Sequence, residues 1–435
     1  MLDRVLRVAE SLSPKTLTVV VGHGADAIRS HFTEPPRIQF ALQDPQLGTA
    51  HALLQAAPLL DGQTGVLVLL SGDVPLLKSV TLRGLLETHC GSRAAATVVT
   101  ATVERPTGYG RIVKEDGRIV RIVEERDASP VERGIREINS GIYAFDLVPL
   151  FEALRGIAAE NDQKEYYLTD LIALYRLRKM AVETFPVDDP HEIRGVNSRS
   201  ELAEVNRLAR LEKNEEVMAA GVTLVDPAAT YIGPDVEIGA DTVIHPGAIL
   251  EGNTRVGASC QIHAHVRISD TEIGDRATIK SFTLITRSRV GPGAEVGPFA
   301  HLRPESVVGE NAKVGNFVEL KNTSLGARSK ANHLSYLGDA TIGTGVNVGA
   351  GTITCNYDGE RKHATVIEDG AFIGSDTQLI APVRVGKGAY IAAGSSITEN
   401  VPDGALGIAR GRQTNVDRWV ERRKDAAKKD KEAGT

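Results

Sequence analysis

Residues 290–320 read VGPGAEVGPFAHLRPESVVGENAKVGNFVEL, and an apolar side chain returns at every sixth position: Val290, Val296, Leu302, Val308, Val314 and Leu320. A period of six matches neither the 3.6-residue turn of a helix nor the two-residue alternation of a hairpin strand. It is the spacing of a hexapeptide repeat, in which each unit supplies a short strand and a corner, and three units close one triangular coil of a parallel β-helix. The same rhythm runs upstream through Ile232, Ile238, Ile244, Leu250, Val256, Ile262 and Ile268, and downstream through Ile373, Leu379, Val385, Ile391 and Ile397. These residues stack into an inner column, and small residues commonly follow them because the corners are tight. Residues 231–400 hold 23 of the 43 glycines, which sets a boundary near residue 225. That stretch fits roughly nine coils of about 18 residues, joined by backbone hydrogen bonds about 4.8 Å apart.

The period blurs at residues 351–363, GTITCNYDGERKH. A uniform spacer or cap has no need of such polar, turn-prone residues, whereas an insertion of this kind forms one wall of a binding face. Arg303, Glu319, Lys321, His333, Tyr336, Asn347 and the Asn356-Tyr357 pair concentrate in the same segment. A neutral histidine is suited to take a proton from an attacking amine near neutral pH, which singles out His333. Arg303 and Lys321 are one coil apart, so they can stack on one face and offer two cations to a phosphate. Any one of these residues alone would read as solvated surface; the clustering beside the insertion is what distinguishes them. Cys355 reads as a packed thiol.

Before the boundary, β-branched runs at residues 16–21, 38–42 and 66–70 alternate with helical patterns at 2–12 and 49–60, the rhythm of an α/β domain with a largely parallel sheet. Residues 111–124 suggest a hairpin turning at Asp116-Gly117, with another strand at 141–145. Asp73 follows the buried run VLVLLSG, at the strand end where open α/β sheets hold ligands, and an aspartate there suits Mg²⁺. Residues 200–219 have the pattern of a linker helix. The formal charge of −6 argues against a broad nucleic-acid face, and no apolar stretch is long enough for a membrane span. Three scattered cysteines fit a reducing compartment, so a cytoplasmic protein with neither nucleic-acid nor membrane partner is expected.

The strings LGTAHA (47–52), SGDVPL (71–76), PTGYGRI (106–112), EINSGIYAF (137–145), EYYLTDLI (165–172), RGVNSR (194–199), FAHLRP (299–304), GNFVELK (315–321), KANHLSYLGDA (330–340), GAGTITCNYDG (349–359) and GSDTQLIAPV (374–383) span nearly the whole chain. On them the chain resembles the bacterial bifunctional N-acetylglucosamine-1-phosphate uridylyltransferase/glucosamine-1-phosphate acetyltransferases. The resemblance implies a Rossmann-like nucleotidyltransferase domain at 1–197, a linker helix at 198–220, a left-handed parallel β-helix at 221–420 and a charged flexible tail at 421–435. It also implies a homotrimer with acetyl-transfer sites between subunits, acetyl-CoA and UTP as co-substrates, and Mg²⁺. By the same resemblance His333 looks like the general base, and Arg303, Lys321, Tyr336 and Asn347 like the sugar-phosphate binders. Ala350, Asn356, Tyr357, Ser375, Ala393 and Arg410 fall at the acetyl-CoA positions, and backbone donors around residues 349–351 would meet the oxyanion. Asp73 and Asn197 look like the metal ligands. Gln43, Gly48 and Thr49 look like uracil contacts, Gly110, Glu124 and Asn139 like contacts to the N-acetylglucosamine moiety, and Ser71 and Gly72 belong to the same substrate site.

Members of that family begin with a strand and a glycine-rich loop of the type LAAGxGTRM followed by a lysine. By comparison this sequence lacks about 33 residues, including the N–H groups that cradle a triphosphate. The expectation is therefore an intact acetyltransferase and an impaired uridylyltransferase. An acetyltransferase acting alone and a noncatalytic β-helical scaffold are the alternatives to the two-activity reading.

Overall fold

The computed structural model describes residues 1–32, 38–161 and 163–433, and the chain divides into two compact units, residues 1–207 and 208–435. The division falls inside the helix Arg199–Ala219.

In the first unit, β1 (Leu17–Val21) and β2 (Ile38–Leu42) form a parallel pair of their own. The main sheet contains β3 (Val66–Leu69), β4 (Ala96–Thr102), β5 (Arg111–Glu115), β6 (Arg118–Val123), β7 (Glu137–Asp146) and β8 (Val182–Pro186), in the order β6-β5-β7-β4-β8, with β3 also on β7. A largely parallel sheet is not what forms. β4 and β8 are parallel, but β7 runs antiparallel to β3, β4 and β5. Parallel neighbours need a long crossover, usually a helix. Between β4 and β7 the chain has instead the predicted hairpin β5–β6 and the four-residue helix Pro130–Arg133, so it returns reversed. The helical pattern at 49–60 divides into Thr49–Leu54 and Ala57–Leu60, with a proline in the first turn of the second piece. Leu82, Leu85, Ile142, Phe145 and Leu150 are fully buried at the centre.

Residues of β1, β3 and the helix Leu2–Glu10 line a cleft of about 870 Å³. Its walls are apolar along the strands. Its lining also includes the polar residues Thr49, Ser71, Glu124, Asn139 and Thr169, with Gly72 next to Ser71.

The second unit is the β-helix. Its first face runs from Tyr231–Ile232 to Ser396–Ile397 (ten strands), its second from Glu237–Ile238 to Val383–Val385 (nine), and its third from Thr223–Leu224 to Leu406–Gly407 (eleven). All described pairs are parallel and in register, so Ile262, Ile279, Val296, Val314, Ala331, Val348, Ile373 and Ile391 lie one above another on the third face. Each is buried, and a large aliphatic side chain so placed contributes about 1.5–3 kcal/mol.

Three residues past each of these, at one corner, the side chains turn outward. His265, Phe282, Phe299, Phe317 and Leu334 adopt φ between 49° and 60° there. The rings of the first four stack at 5.1–5.3 Å, and Phe282, Phe299, Phe317 and Leu334 form an exposed apolar ridge.

The insertion interrupts the second face, where Thr341 pairs with Val366 rather than with a residue one ordinary coil later. Its loop is closed by an antiparallel bridge between Tyr357 and Lys362. Asp358 Oδ1 accepts the N–H groups of Glu360 and Arg361, and its Oδ2 lies 2.7 Å from His363 Nε2. The charged C-terminal segment, expected as a flexible tail, is instead the helix Trp419–Ala433; its alanine, lysine, arginine and glutamate residues are strong helix formers. No helix among the described residues is long and apolar enough to cross a membrane.

Candidate functional site

The corner beside the aromatic ridge carries a second column. Asn316 and His333 are direct register partners, and Ala350, Ser375 and Ala393 follow two residues after Val348, Ile373 and Ile391 on successive coils. At about 4.8 Å per coil, the small residues leave a strip about 10 Å long free of bulky side chains below His333. The backbone ties these coils together: Asp376 N–H donates to Ala350 O (2.7 Å) and Gly394 N–H to Ser375 O (2.8 Å), while Arg410 Nη1 donates to Ala393 O (3.0 Å) at the strip's far end. His333 is exposed, with Nδ1 2.7 Å from Asn316 Oδ1. Glu319, the carboxylate of the sequence cluster, is turned to Arg303 Nη1 at 3.0 Å. The N–H groups of Gly349 and Gly351 are engaged by Ile373 O and Leu334 O. Among the described residues, the Ala350 N–H between them has no acceptor.

On the first face, the register that pairs Leu302 with Leu320 puts Arg303 beside Lys321. Lys321 Nζ is 3.5 Å from Asp339 Oδ2, Asn322 Nδ2 donates to Asp339 Oδ1 at 2.8 Å, and the Asn356 amide donates to the same carboxylate. Burial pushes the Asp339 carboxyl up, but the Asn322 and Asn356 hydrogen bonds and the Lys321 charge hold it below its ordinary value. Tyr336 and Asn356 converge over Gly338: a methyl group there would stand 2.5 Å from Tyr336 Oη and 2.8 Å from Asn356 Nδ2, so the close approach requires glycine.

Lys362 is one of two residues that the sequence reading missed. The insertion brings it against Lys321 and within the field of Arg303, and Lys321 pushes its ammonium below the usual lysine value. Lys321, which faces the Asp339 carboxylate, is held above its own. Lys362 lies inside the aperiodic insertion, where spacing assigns no face; the bare presence of a cation there was the only available signal. Asn316 was missed although it lies 17 residues before His333, the interval of one coil here.

Two candidates stand apart. Asn347 begins a third-face strand, between Lys330 and Phe372 in register, away from the first-face strand ends that carry Arg303 and Lys321. Tyr357 is exposed on the insertion, its hydroxyl bonded to Gly359 O. Cys355 is a half-buried free thiol.

In the first unit, β5, β6 and β7 bring Gly110, Glu124 and Asn139 together. Asn139 N–H donates to Gly110 O at 2.9 Å, and a methyl group on Gly110 would lie 3.5 Å from both Glu124 Oε1 and Asn139 Cβ. Burial pushes the Glu124 carboxyl above its ordinary value, against the opposing hydrogen bond from Thr169 Oγ1 (3.1 Å). Tyr143 Oη donates to Asn139 Oδ1 at 2.9 Å, and Ser71 Oγ lies 3.5 Å from Gly141 O. Gln43 Nε2 donates to Gly48 O at 3.0 Å, and Thr49 Oγ1 accepts from Leu168 N–H at 3.1 Å. Gly72 lines the same cleft as Ser71, and Asp73 follows it.

Asp73 and Asn197 come together across Gly195. A methyl group on Gly195 would sit 3.1 Å from Asp73 Oδ2 and 3.9 Å from Asn197 Nδ2, so glycine keeps open a small polar cradle. One carboxylate and one amide suit Mg²⁺, which keeps several of its waters. Among the described residues no group of three or more His, Cys, Asp or Glu forms an all-protein metal cage.

Residues 1–189 match the nucleotidyl transferase family, and residues 364–399 match the bacterial transferase hexapeptide (six repeats) family. Similar curated proteins include the bifunctional protein GlmU of Trichlorobacter lovleyi, 47% identical over 98% of this chain and 93% of that protein. The bifunctional protein GlmU of Brevibacillus brevis is 50% identical over 95% of this chain and 90% of its own length, and that of Pelobacter propionicus 48% over 98% and 92%.

Proposed function

Since the chain belongs to the GlmU family of bifunctional bacterial enzymes, we propose a division of labour in which the β-helix acetylates glucosamine-1-phosphate and the α/β unit transfers uridylyl to the product. The protein is an enzyme of UDP-N-acetylglucosamine biosynthesis that uses acetyl-CoA, UTP and Mg²⁺.

For acetyl transfer, the observation that carries the reading is the single column of His333 above Ala350, Ser375 and Ala393 on the third face, in the same coils whose first face and insertion carry the Arg303, Lys321 and Lys362 cations. The cations and Tyr336 hold the sugar phosphate. The strip of small residues takes the extended acetyl-CoA, with Arg410 at its far end; Asn356 and Tyr357, at the insertion, are the further acetyl-CoA contacts of this reading. His333 accepts a proton as the sugar amine attacks the thioester carbonyl; the C–N bond forms, the C–S bond breaks and CoA leaves as the thiol. The Ala350 N–H is the donor for the tetrahedral oxyanion.

For uridylyl transfer, the phosphate oxygen of N-acetylglucosamine-1-phosphate attacks the α-phosphorus of UTP and pyrophosphate leaves. Gln43, Gly48 and Thr49 hold the uracil. Gly110, Glu124 and Asn139 hold the N-acetylglucosamine moiety, and Ser71 and Gly72 border the same site. Asp73 and Asn197 would hold Mg²⁺, which supplies charge neutralisation at the phosphates when bound.

A homotrimer completes the acetyltransferase. The apolar ridge of Phe282, Phe299 and Phe317 runs along the corner directly beside the His333 column, so a second copy seated on it meets that column. Asn347 lies away from the Arg303 group within one chain, which favours a site shared between copies. The reactions belong in the cytoplasm, where acetyl-CoA and UTP are available. The test is acetyl-CoA-dependent acetylation of glucosamine-1-phosphate and UTP-dependent pyrophosphate release, with light scattering for mass. Absence of acetylation in a folded protein would overturn the reading of the β-helix, and an active monomer would overturn the shared site.

A further inference from the structure

We infer that Asn316 is a positioning residue for acetyl transfer: its side-chain oxygen fixes the His333 tautomer that leaves Nε2 free to take the amine proton. The inference rests on the proposed role of His333 as base.

A neutral imidazole has one N–H and one lone pair, and only the nitrogen with the lone pair is a base. Which nitrogen that is depends on what the other one meets. Here Nδ1 lies 2.7 Å from Asn316 Oδ1. An amide oxygen can only accept, so Nδ1 carries the hydrogen and Nε2 the lone pair. The parallel register makes the contact reproducible, because Asn316 and His333 are direct partners on adjacent coils of the same face. The flanking backbone is fixed as well: Leu334 N–H donates to Asn316 O at 3.0 Å, and Ser335 Oγ donates to His333 O at 2.9 Å. His333 is otherwise exposed at a corner, where nothing else in the described structure bonds its ring. Glu319, the carboxylate that the sequence clusters with His333, is paired with Arg303 instead. A neutral amide also orients the ring without adding a charge that would favour the protonated imidazole.

Two near-isosteric substitutions separate this role from a structural one. Asn316→Asp keeps an acceptor facing Nδ1 and cannot donate. Asn316→Leu keeps the size and removes the acceptor. The account predicts that Asn316→Leu lowers kcat for acetylation by about tenfold with KM for glucosamine-1-phosphate within about twofold, and that Asn316→Asp retains at least about a third of wild-type kcat. If the amide instead donated to Nδ1, the aspartate variant would be as slow as the leucine variant, and the inference would be wrong. Wild-type kcat in Asn316→Leu would overturn it equally. Both variants are compared with wild type by light scattering and circular dichroism, and a rise in KM matching the fall in kcat would mark a structural role and also overturn it. His333→Ala, assayed alongside, distinguishes the two levels. If that variant stays active, the base assignment fails; if it is inactive while Asn316→Leu is normal, only the tautomer inference fails.

Discussion

In the β-helix, Asn316, His333, Ala350, Ser375 and Ala393 are neighbours because each follows the last by one coil along a single corner. In the α/β unit, Gly110, Glu124 and Asn139 meet because the β5–β6 hairpin folds back on β7, and Asp73 approaches Asn197, 124 positions further along the chain. The solenoid converts sequence spacing directly into distance, so its site tolerates change in one coil only where the column itself is touched. The open sheet assembles its site from strand ends and loops, so the same polar groups depend on the topology of the whole unit. On the proposed assignment, the two chemistries have different requirements, a proton acceptor above a strip of small residues and a cleft with polar groups in its lining, and each occupies the scaffold that suits it.

The comparison breaks most visibly at the column. Replacing His333 by alanine removes the proposed proton acceptor, and acetylation should fall by at least about a hundredfold while the protein keeps its far-ultraviolet circular dichroism and mass. Retention of near-normal turnover would mean that the column is only a structural seam.

Lys362 sharpens the contrast from the other side, since it reaches the site through the insertion and not through the register. Lys362→Ala should raise KM for glucosamine-1-phosphate by about tenfold with a smaller change in kcat, the pattern for loss of a ground-state phosphate contact. An unchanged KM would remove the insertion from the sugar-phosphate site.

The interiors should differ in the same sense. Ile285 is fully buried between coils, and Ile285→Ala should cost about 2–5 kcal/mol in chemical denaturation. Val19 is half-buried on the cleft wall, so Val19→Ala should cost less than about 1 kcal/mol. Equal losses would contradict the distinction between a closed column and an open wall.

The smallest effects concern two carboxylates with opposite pH behaviour. Hydrogen bonds from Lys280 and Lys313 hold Glu295 down to about 2, so its contribution to stability is complete above the ordinary glutamate value and is lost as pH falls toward about 2. Glu295→Gln should flatten that acid limb. Glu124 is raised by burial, so the folded unit holds a proton that the unfolded chain releases just above the ordinary glutamate value. Stability therefore falls as pH rises through that window, and Glu124→Gln should remove the fall. Thermal unfolding across pH reads both slopes, and slopes of the same sign in the wild type would refute the assignment.

The β-helix was legible because its period of six is a property of the local chain, and Arg303, Lys321 and His333 could be assigned to faces by counting. Lys362 was not, because counting stops at the insertion. The aromatic ridge escaped notice for another reason: Phe282, Phe299 and Phe317 occupy corner positions with positive φ, outside the strand pattern that marks the core. In the α/β unit β1, β2, β3, the β5–β6 hairpin and part of β7 were readable from β-branched runs and an Asp-Gly turn, whereas β4 and β8 were not assigned. The direction of β7 was not, since strand pairing depends on the connection between elements and not on the strand's own residues. Asp73 was found from its place after a strand, whereas its approach to Asn197 depends on packing at Gly195.

The claim that each unit carries its own chemistry is tested most directly by assaying His333→Ala and Asp73→Ala proteins for both reactions in the same preparations. The account predicts that His333→Ala loses acetylation and keeps the wild-type rate of UTP-dependent pyrophosphate release, while Asp73→Ala acetylates normally and loses at least about a hundredfold in pyrophosphate release. Loss of both reactions in either folded variant, or of neither, would contradict it.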